Sequence, residues 1–286
     1  MKKIDMHIHA IPSPGPERLR HGTFPLPSEV RSMYDQVGIE KGVLMPLGAP
    51  EHMHDPITSR MAEELHQDKP DTIGWWFCYL DPRMGRNDPG DDLSYYVDYF
   101  RERGASGVGE MQANIWIDDP RMVNLFRACE KGKLPVTVHF GKINYWTGVA
   151  DEAGLPRLEN VLTLCPDLLL LGHAQPFWAE FRKPENRVAQ LMRRFPNLYC
   201  DLSANSGFTA LTENPEKTAA FFTEFSERCV FGTDFADPKQ ISAPHAGTSG
   251  FLDWLYEDSL ISLETYTRIC RTNALEILDG TRTGRV

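Results

Sequence analysis

Leu168-Leu169-Leu170-Leu171-Gly172-His173, then Val188-Ala189-Gln190-Leu191-Met192-Arg193-Arg194-Phe195, then Leu198-Tyr199-Cys200-Asp201-Leu202-Ser203 is the stretch on which the fold turns. The outer two segments are short and largely apolar, as buried strands are. In the middle segment Val188, Leu191, Met192 and Phe195 recur at three- and four-residue spacing, which predicts an amphipathic helix. Strand, helix, strand in that order is a parallel crossover unit.

The same alternation extends in both directions. Lys3 to His9, Gly42 to Leu47, Ile73 to Leu80, Gly107 to Gln112 and Pro135 to Phe140 precede it and Val230 to Asp234 follows, so eight strands are predicted. Helical patterns such as Leu93 to Phe100 lie between them, and Ser28, Asp55-Pro56, Asp119-Pro120 and Asn214-Pro215 read as helix starts. Eight such units predict one α/β domain over residues 1–286, a single (β/α)8 TIM barrel with its active site at the C-terminal face of the strands. The Pro- and Gly-rich loop Pro12 to Pro27 reads as a lid on that face, and Phe235 to Gly250 as a second extended loop.

Composition agrees with a globular enzyme and narrows its partners. The hydrophobic fraction is 41% and the charged fraction 24%, with no biased tract, so a large core can be buried and disorder is not expected. A net charge of −10 repels a phosphate backbone, so no nucleic-acid partner is expected. No apolar run approaches a membrane span, and Met1 to His7 meets a charge and a histidine where a signal peptide would be apolar. The six cysteines are scattered without a C-x-x-C pair and read as small buried residues in a reducing, cytoplasmic setting, with a disulfide as the rival reading. The expected partner is a small-molecule substrate, and a homo-oligomer is left open.

Asp5-Met6-His7-Ile8-His9 places two imidazoles at i and i+2, so both face one side of a strand and can share a metal. Taken alone, the pair has a lesser competing reading as two core histidines satisfied by backbone groups. It is not alone: His139, His173 and Asp234 all stand at C-terminal strand ends. Imidazoles plus a carboxylate converging on one mouth are the donors that zinc, manganese or ferrous iron prefer. The expectation is a divalent metal held by His7, His9, Asp234 and at least one of His139 and His173. Glu110 ends the fourth predicted strand and is a further ligand, a bridge between two ions or a residue that orients a histidine N–H.

These motifs, together with Thr272-Asn273-Ala274-Leu275-Glu276-Ile277-Leu278, resemble the amidohydrolase superfamily, in particular its amidohydrolase-2 branch of metal-dependent barrel hydrolases and decarboxylases. The resemblance covers nearly the whole chain. It implies that His7, His9, His139 and Asp234 bind the metal, while His173 acts as acid/base or binds a second ion. Glu110 departs from the decarboxylase pattern and is similar to the bridging glutamate of TatD-like relatives. Zinc is the expected metal, with one ion favoured and two allowed. Asp234 would take the proton of an activated water, and His173 would steer the substrate or protonate the leaving group.

Three functions compete. Hydrolysis of a small amide, ester or lactone uses every member of the set and leads. Nonoxidative decarboxylation of an aromatic or enoic acid is the alternative, with Glu110 weighing against it. A catalytically inactive metal-binding barrel is the third, opposed by the intact ligand set. Around the mouth, Lys142 and Lys239 are candidate carboxylate binders, Gln175 a polar contact, and Trp146 and Trp178 candidate walls. For each of these, packing or solvation is the competing reading. His52-Met53-His54 looks like a second pair but lies outside a clear strand and reads as surface, while His21 sits in the lid and His245 carries no signal.

Overall fold

A computed structural model describes residues 1–18, 22–143, 147–242 and 244–282. Its strands are β1 (Lys3–Ile8), β2 (Ile39–Leu44), β3 (Ile73–Trp76), β4 (Val108–Met111), β5 (Val136–Gly141), β6 (Val149–Ala150), β7 (Leu170–His173), β8 (Leu198–Asp201) and β9 (Cys229–Val230). All pair in parallel, in a sheet β1-β2-β3 and a sheet β4-β5-β7-β8-β9, with the short β6 added to β5. Backbone hydrogen bonds join the two sheets on both sides. Cys78 N–H reaches Gly107 O at 2.9 Å, Met6 N–H reaches Phe231 O at 3.0 Å and Asp234 N–H reaches His7 O at 2.8 Å. The ring of eight barrel strands is thereby closed, as the alternation predicts.

The ninth strand, β6, is not legible in the sequence. It forms because the chain doubles back on β5 at a glycine pair: Gly148 sits at φ +105°, and a Cβ there would stand 2.7 Å from the Gly141 Cα. Only glycine permits that approach.

Two apolar layers hold the barrel. Ile4, Met6, Val43, Met45, Phe77, Leu169, Leu171, Tyr199 and Val230 fill the interior, while Ile8, Leu44, Val108, Val136, Val138 and Leu170 face the helices. In β7 the layers alternate residue by residue, as a regular strand requires. In β1 they do not. Asp5 pairs with Gly42 and Ile8 with Leu44, three steps against two, so β1 carries a bulge. The bulge turns Met6 and His7 to the same side, which lets both the apolar and the histidine residues of β1 enter the barrel.

Helix starts divide into those the sequence marks well and those it does not. Asp119 and Asn214 are N-caps, accepting from Arg121 N at 2.9 Å and Lys217 N at 2.8 Å. Ser28 lies inside its helix, Pro27–Val37, whose cap is Leu26 with Glu29 Oε2 accepting the Leu26 N–H at 2.8 Å. Asp55-Pro56 starts nothing, because Thr58 caps the helix Ser59–Asp68 instead. Phe235 to Gly250 is not an extended loop either: it contains a tight helical turn, Pro238–Ser242, and the first half of the helix Pro244–Glu257. Among the described residues no helix is long and apolar enough to cross a membrane.

Candidate metal centre

β1 delivers His7, β4 Glu110, β5 His139 and β7 His173, while His9 directly follows β1 and Asp234 follows β9. Their side chains meet at the C-terminal mouth. His7 Nε2 and His9 Nε2 are 3.3 Å apart, and Glu110 Oε2 lies 3.5 Å from the first and 3.3 Å from the second. Asp234 Oδ1 lies 3.7 Å from His7 Nε2 and 3.2 Å from His9 Nε2. Ligands about 2.1 Å from one ion in a tetrahedron stand about 3.4 Å from one another, so His7, His9 and Glu110 fit a single divalent ion, and Asp234 Oδ1 lies in the same range of both histidines.

The other oxygen of Glu110 serves the other histidines. Oε1 is in close contact with His139 Nδ1 and 3.4 Å from His173 Nε2, giving a second possible ligand group of Glu110, His139 and His173. His173 Nε2 is buried and makes no hydrogen bond, a cost that a ligand would relieve. His139 thus sits in this second group rather than among the four atoms around His7 and His9.

The Nδ1 atoms of His7, His9 and His173 are already spoken for, which fixes which face of each of these three rings points inward. His7 Nδ1–H donates to Asp201 Oδ2 at 2.7 Å and His9 Nδ1–H to Met45 O at 2.9 Å. Ser203 Oγ is 3.0 Å from His173 Nδ1. Asp5 underlies the group, its carboxylate accepting from His7 N at 3.0 Å, Thr233 N at 2.9 Å, Thr233 Oγ1 at 2.6 Å and Tyr34 OH at 2.9 Å.

Charge keeps the carboxylates ionised. Burial alone would raise Glu110, but the charges of His139 and His7 hold it well below the usual carboxylate range. Burial likewise works against Asp234, and the His9 hydrogen bond and the His7 charge hold it down. Burial would lower His7, but Asp201 and Glu110 raise it well above an ordinary imidazole.

The group opens into a cavity of about 620 Å³ lined by His9, Arg18, Phe24, His52, Glu110, Gln112, His139 and Asp234, among others. Arg18 brings a guanidinium to it from the Pro12 to Pro27 loop, 3.6 Å from the Phe24 ring centre, with its Nε donating to Gly22 O at 2.9 Å. His52 corrects a sequence reading: it is a half-buried wall of this cavity, not a surface residue. It forms no metal pair with His54, whose ring stacks on it at 6.2 Å.

The residues read as substrate contacts separate. Lys142 and Gln175 line a second hollow of about 710 Å³ that shares His139 and Thr147 with the first. Trp178 lines neither. It is 1% exposed, packed between Phe177 and Phe181 in the outer core layer, because the helix Gln175–Arg182 turns that face inward. Lys239 is exposed and lines neither hollow. Trp146, His21 and the His245 side chain lie outside the described residues.

Sequence reasoning missed Asp5, Asp201, Ser203, Gln112 and Arg18 as site residues. Asp201 carried a usable signal, a carboxylate at a C-terminal strand end. Arg18, in an irregular loop, carried none.

A sequence model of the amidohydrolase family (Amidohydro_2) matches residues 4–280. No curated protein matches the chain. Among solved structures, an uncharacterised TIM-barrel protein from Bordetella bronchiseptica superposes with TM-score 0.66 at 17% identity, covering 99% of this chain and 100% of that one. A dihydroxybenzoic acid decarboxylase from Polaromonas sp. JS666 with bound manganese gives 0.60 at 16%, covering 98% of each chain. A probable 2-pyrone-4,6-dicarboxylic acid hydrolase from Acinetobacter baumannii gives 0.57 at 13%, covering 94% of this chain and 99% of that one.

Proposed function

The chain belongs to the amidohydrolase family, a family of metal-dependent enzymes, and from that premise we propose that it hydrolyses a small amide, ester or lactone at a divalent metal. One observation carries the reading: Glu110 adds a second carboxylate to His7, His9 and Asp234 and turns one oxygen to each histidine pair. Two carboxylates neutralise a divalent ion, which weakens its hold on a substrate carboxylate, the group a decarboxylase must grip, and leaves Asp234 as a base for water. When bound, the ion supplies Lewis acidity and lowers the pKa of water toward neutrality.

His7, His9, Glu110 and Asp234 would hold one ion, zinc or manganese, with His139 and His173 beside Glu110 as the place for a second. Asp234, ionised and partly open to the cavity, takes the proton from the attacking water. His173 Nε2, 3.9 Å from Asp234 Oδ2, passes a proton to the leaving group. Arg18 orients an anionic substituent of the substrate in the cavity. All six cysteines are free and buried, which supports a reducing, cytoplasmic setting.

Decarboxylation of an aromatic acid is the second reading. The manganese-bound decarboxylase among the structural relatives and the Arg18 guanidinium favour it. The test is metal-stripped protein reloaded with zinc or manganese and assayed on carboxylate-bearing aryl esters, amides and lactones, with CO2 release followed from hydroxybenzoates. Metal-dependent hydrolysis without CO2 is expected. CO2 release alone transfers the site to decarboxylation, and retained metal with neither activity leaves a binding barrel.

A further inference from the structure

Glu110 divides its oxygens between two histidine pairs, and something must hold it in that rotation. Gln112 does so directly: its Nε2 donates to Glu110 Oε2 at 2.6 Å, and the residue is 4% exposed. Yet a carboxamide can sit either way round, and Gln112 has to be told which end faces Glu110. Its Oε1 accepts from Thr147 Oγ1 at 2.7 Å and is in close contact with His52 Nε2. His52 Nε2 and Thr147 Oγ1 are themselves 3.2 Å apart.

We infer that His52 and Thr147 are positioning residues which, acting through Gln112, set the rotation of Glu110 and so the affinity of the metal centre. The three residues come from separate loops, after β2, β4 and β5. Two N–H or O–H donors converge on Gln112 Oε1, so its NH2 group is left to face the carboxylate. The reversed amide would set a carbonyl oxygen against the Glu110 carboxylate and the His52 N–H against an NH2 group. The arrangement requires His52 to carry its proton on Nε2. The loop holding His52 is staked a second time by Glu51, whose carboxylate pairs with Arg83 at 3.2 Å.

The inference rests on the metal reading above, and its test separates the two. In the metal-free protein, 15N shifts of His52 should report the Nε2-protonated tautomer, a preference that Gln112→Met abolishes. An Nδ1-protonated His52 would overturn the inference whether or not metal binds. Zinc affinity, measured by competition with a chromogenic chelator, should fall roughly 10- to 100-fold in Gln112→Met and in His52→Phe, as removing a partner of a metal ligand does. His52→Gln, which restores a donor to Gln112 Oε1, should recover most of it. The double variant should bind zinc no more weakly than Gln112→Met alone. Losses that multiply in the double variant would show His52 acting by another route, and unchanged affinity in both single variants would equally end the inference. Unfolding of the metal-free variants guards against misfolding; should Gln112→Met not fold, His52→Phe and Thr147→Val on the partly exposed loops carry the test. Wild-type protein that binds no zinc, with His52 in the expected tautomer, would count against the metal reading and leave the hydrogen-bond chain standing.

Discussion

His139 and His173 arrive on a regular ladder, whereas His7, His9 and Glu110 arrive on bulged strands. In the β5–β7 pair the register runs Val136 to Leu170, Thr137 to Leu171, Val138 to Gly172 and His139 to His173 without a break. In β1, Asp5 to Ile8 spans three steps against two of β2, and in β4, Val108 to Met111 spans three against two of β5. A bulge re-aims side chains at the cost of ladder hydrogen bonds, and the freed groups need partners. Asp5 supplies one by accepting the His7 N–H, and Pro46 O accepts the Glu110 N–H at 3.3 Å. The difference teaches that the more irregular half of the site needs buried polar clamps for the backbone groups its bulges free, a need the regular half, its ladder intact, does not have.

The severest break falls on the bulged half. His7→Ala combined with His9→Ala should abolish metal binding and activity while the barrel stays folded, since its core is apolar; stoichiometric zinc retained in the double variant would refute this. Asp234→Asn should lower turnover roughly 10²- to 10⁴-fold with a smaller change in KM, because an amide cannot accept the proton. Turnover within about tenfold of wild type would remove Asp234 as the base.

The regular half is tested by His173→Asn. With one ion in the His7 and His9 group, metal content per chain stays at one equivalent while turnover falls. Two equivalents dropping to one would instead assign His139 and His173 to a second ion. Stability tests sharpen the contrast further. Asp5→Ala strands the His7 N–H and the Tyr34 hydroxyl in the interior and takes an acceptor from Thr233, and should cost about 3 kcal/mol in denaturant unfolding. A loss below about 1 kcal/mol would mean that Asp5 is no clamp. Gly172→Ala should cost about 1–3 kcal/mol by overpacking, as its Cβ would stand 2.5 Å from the Phe177 ring. An unchanged Tm there would mean the regular half packs more loosely than it looks.

How much of this was legible in advance follows from the range of the forces involved. Strand and helix periodicity is local, so the eight barrel strands and their order could be read directly, as could the histidines and carboxylates at their ends. Trp178 misled because a strand-end position says nothing about which face of the following helix is buried. His52 misled for the opposite reason: it sits on a short turn whose direction is set by Arg83, through its pair with Glu51, and by Gln112, both far from it in sequence.

The chain's own order of residues determined the barrel, the mouth and the donor types, because each is a matter of spacing along one strand or of chemistry at one position. Only the folded molecule decided that β1 and β4 bulge, that Glu110 turns one oxygen to each histidine pair, and that Asp5, Asp201 and Gln112 hold the donors in place. Those choices depend on hydrogen bonds between residues as far apart as Asp5 and Thr233 or His7 and Asp201, and the groups that make them meet only when the ring of strands closes.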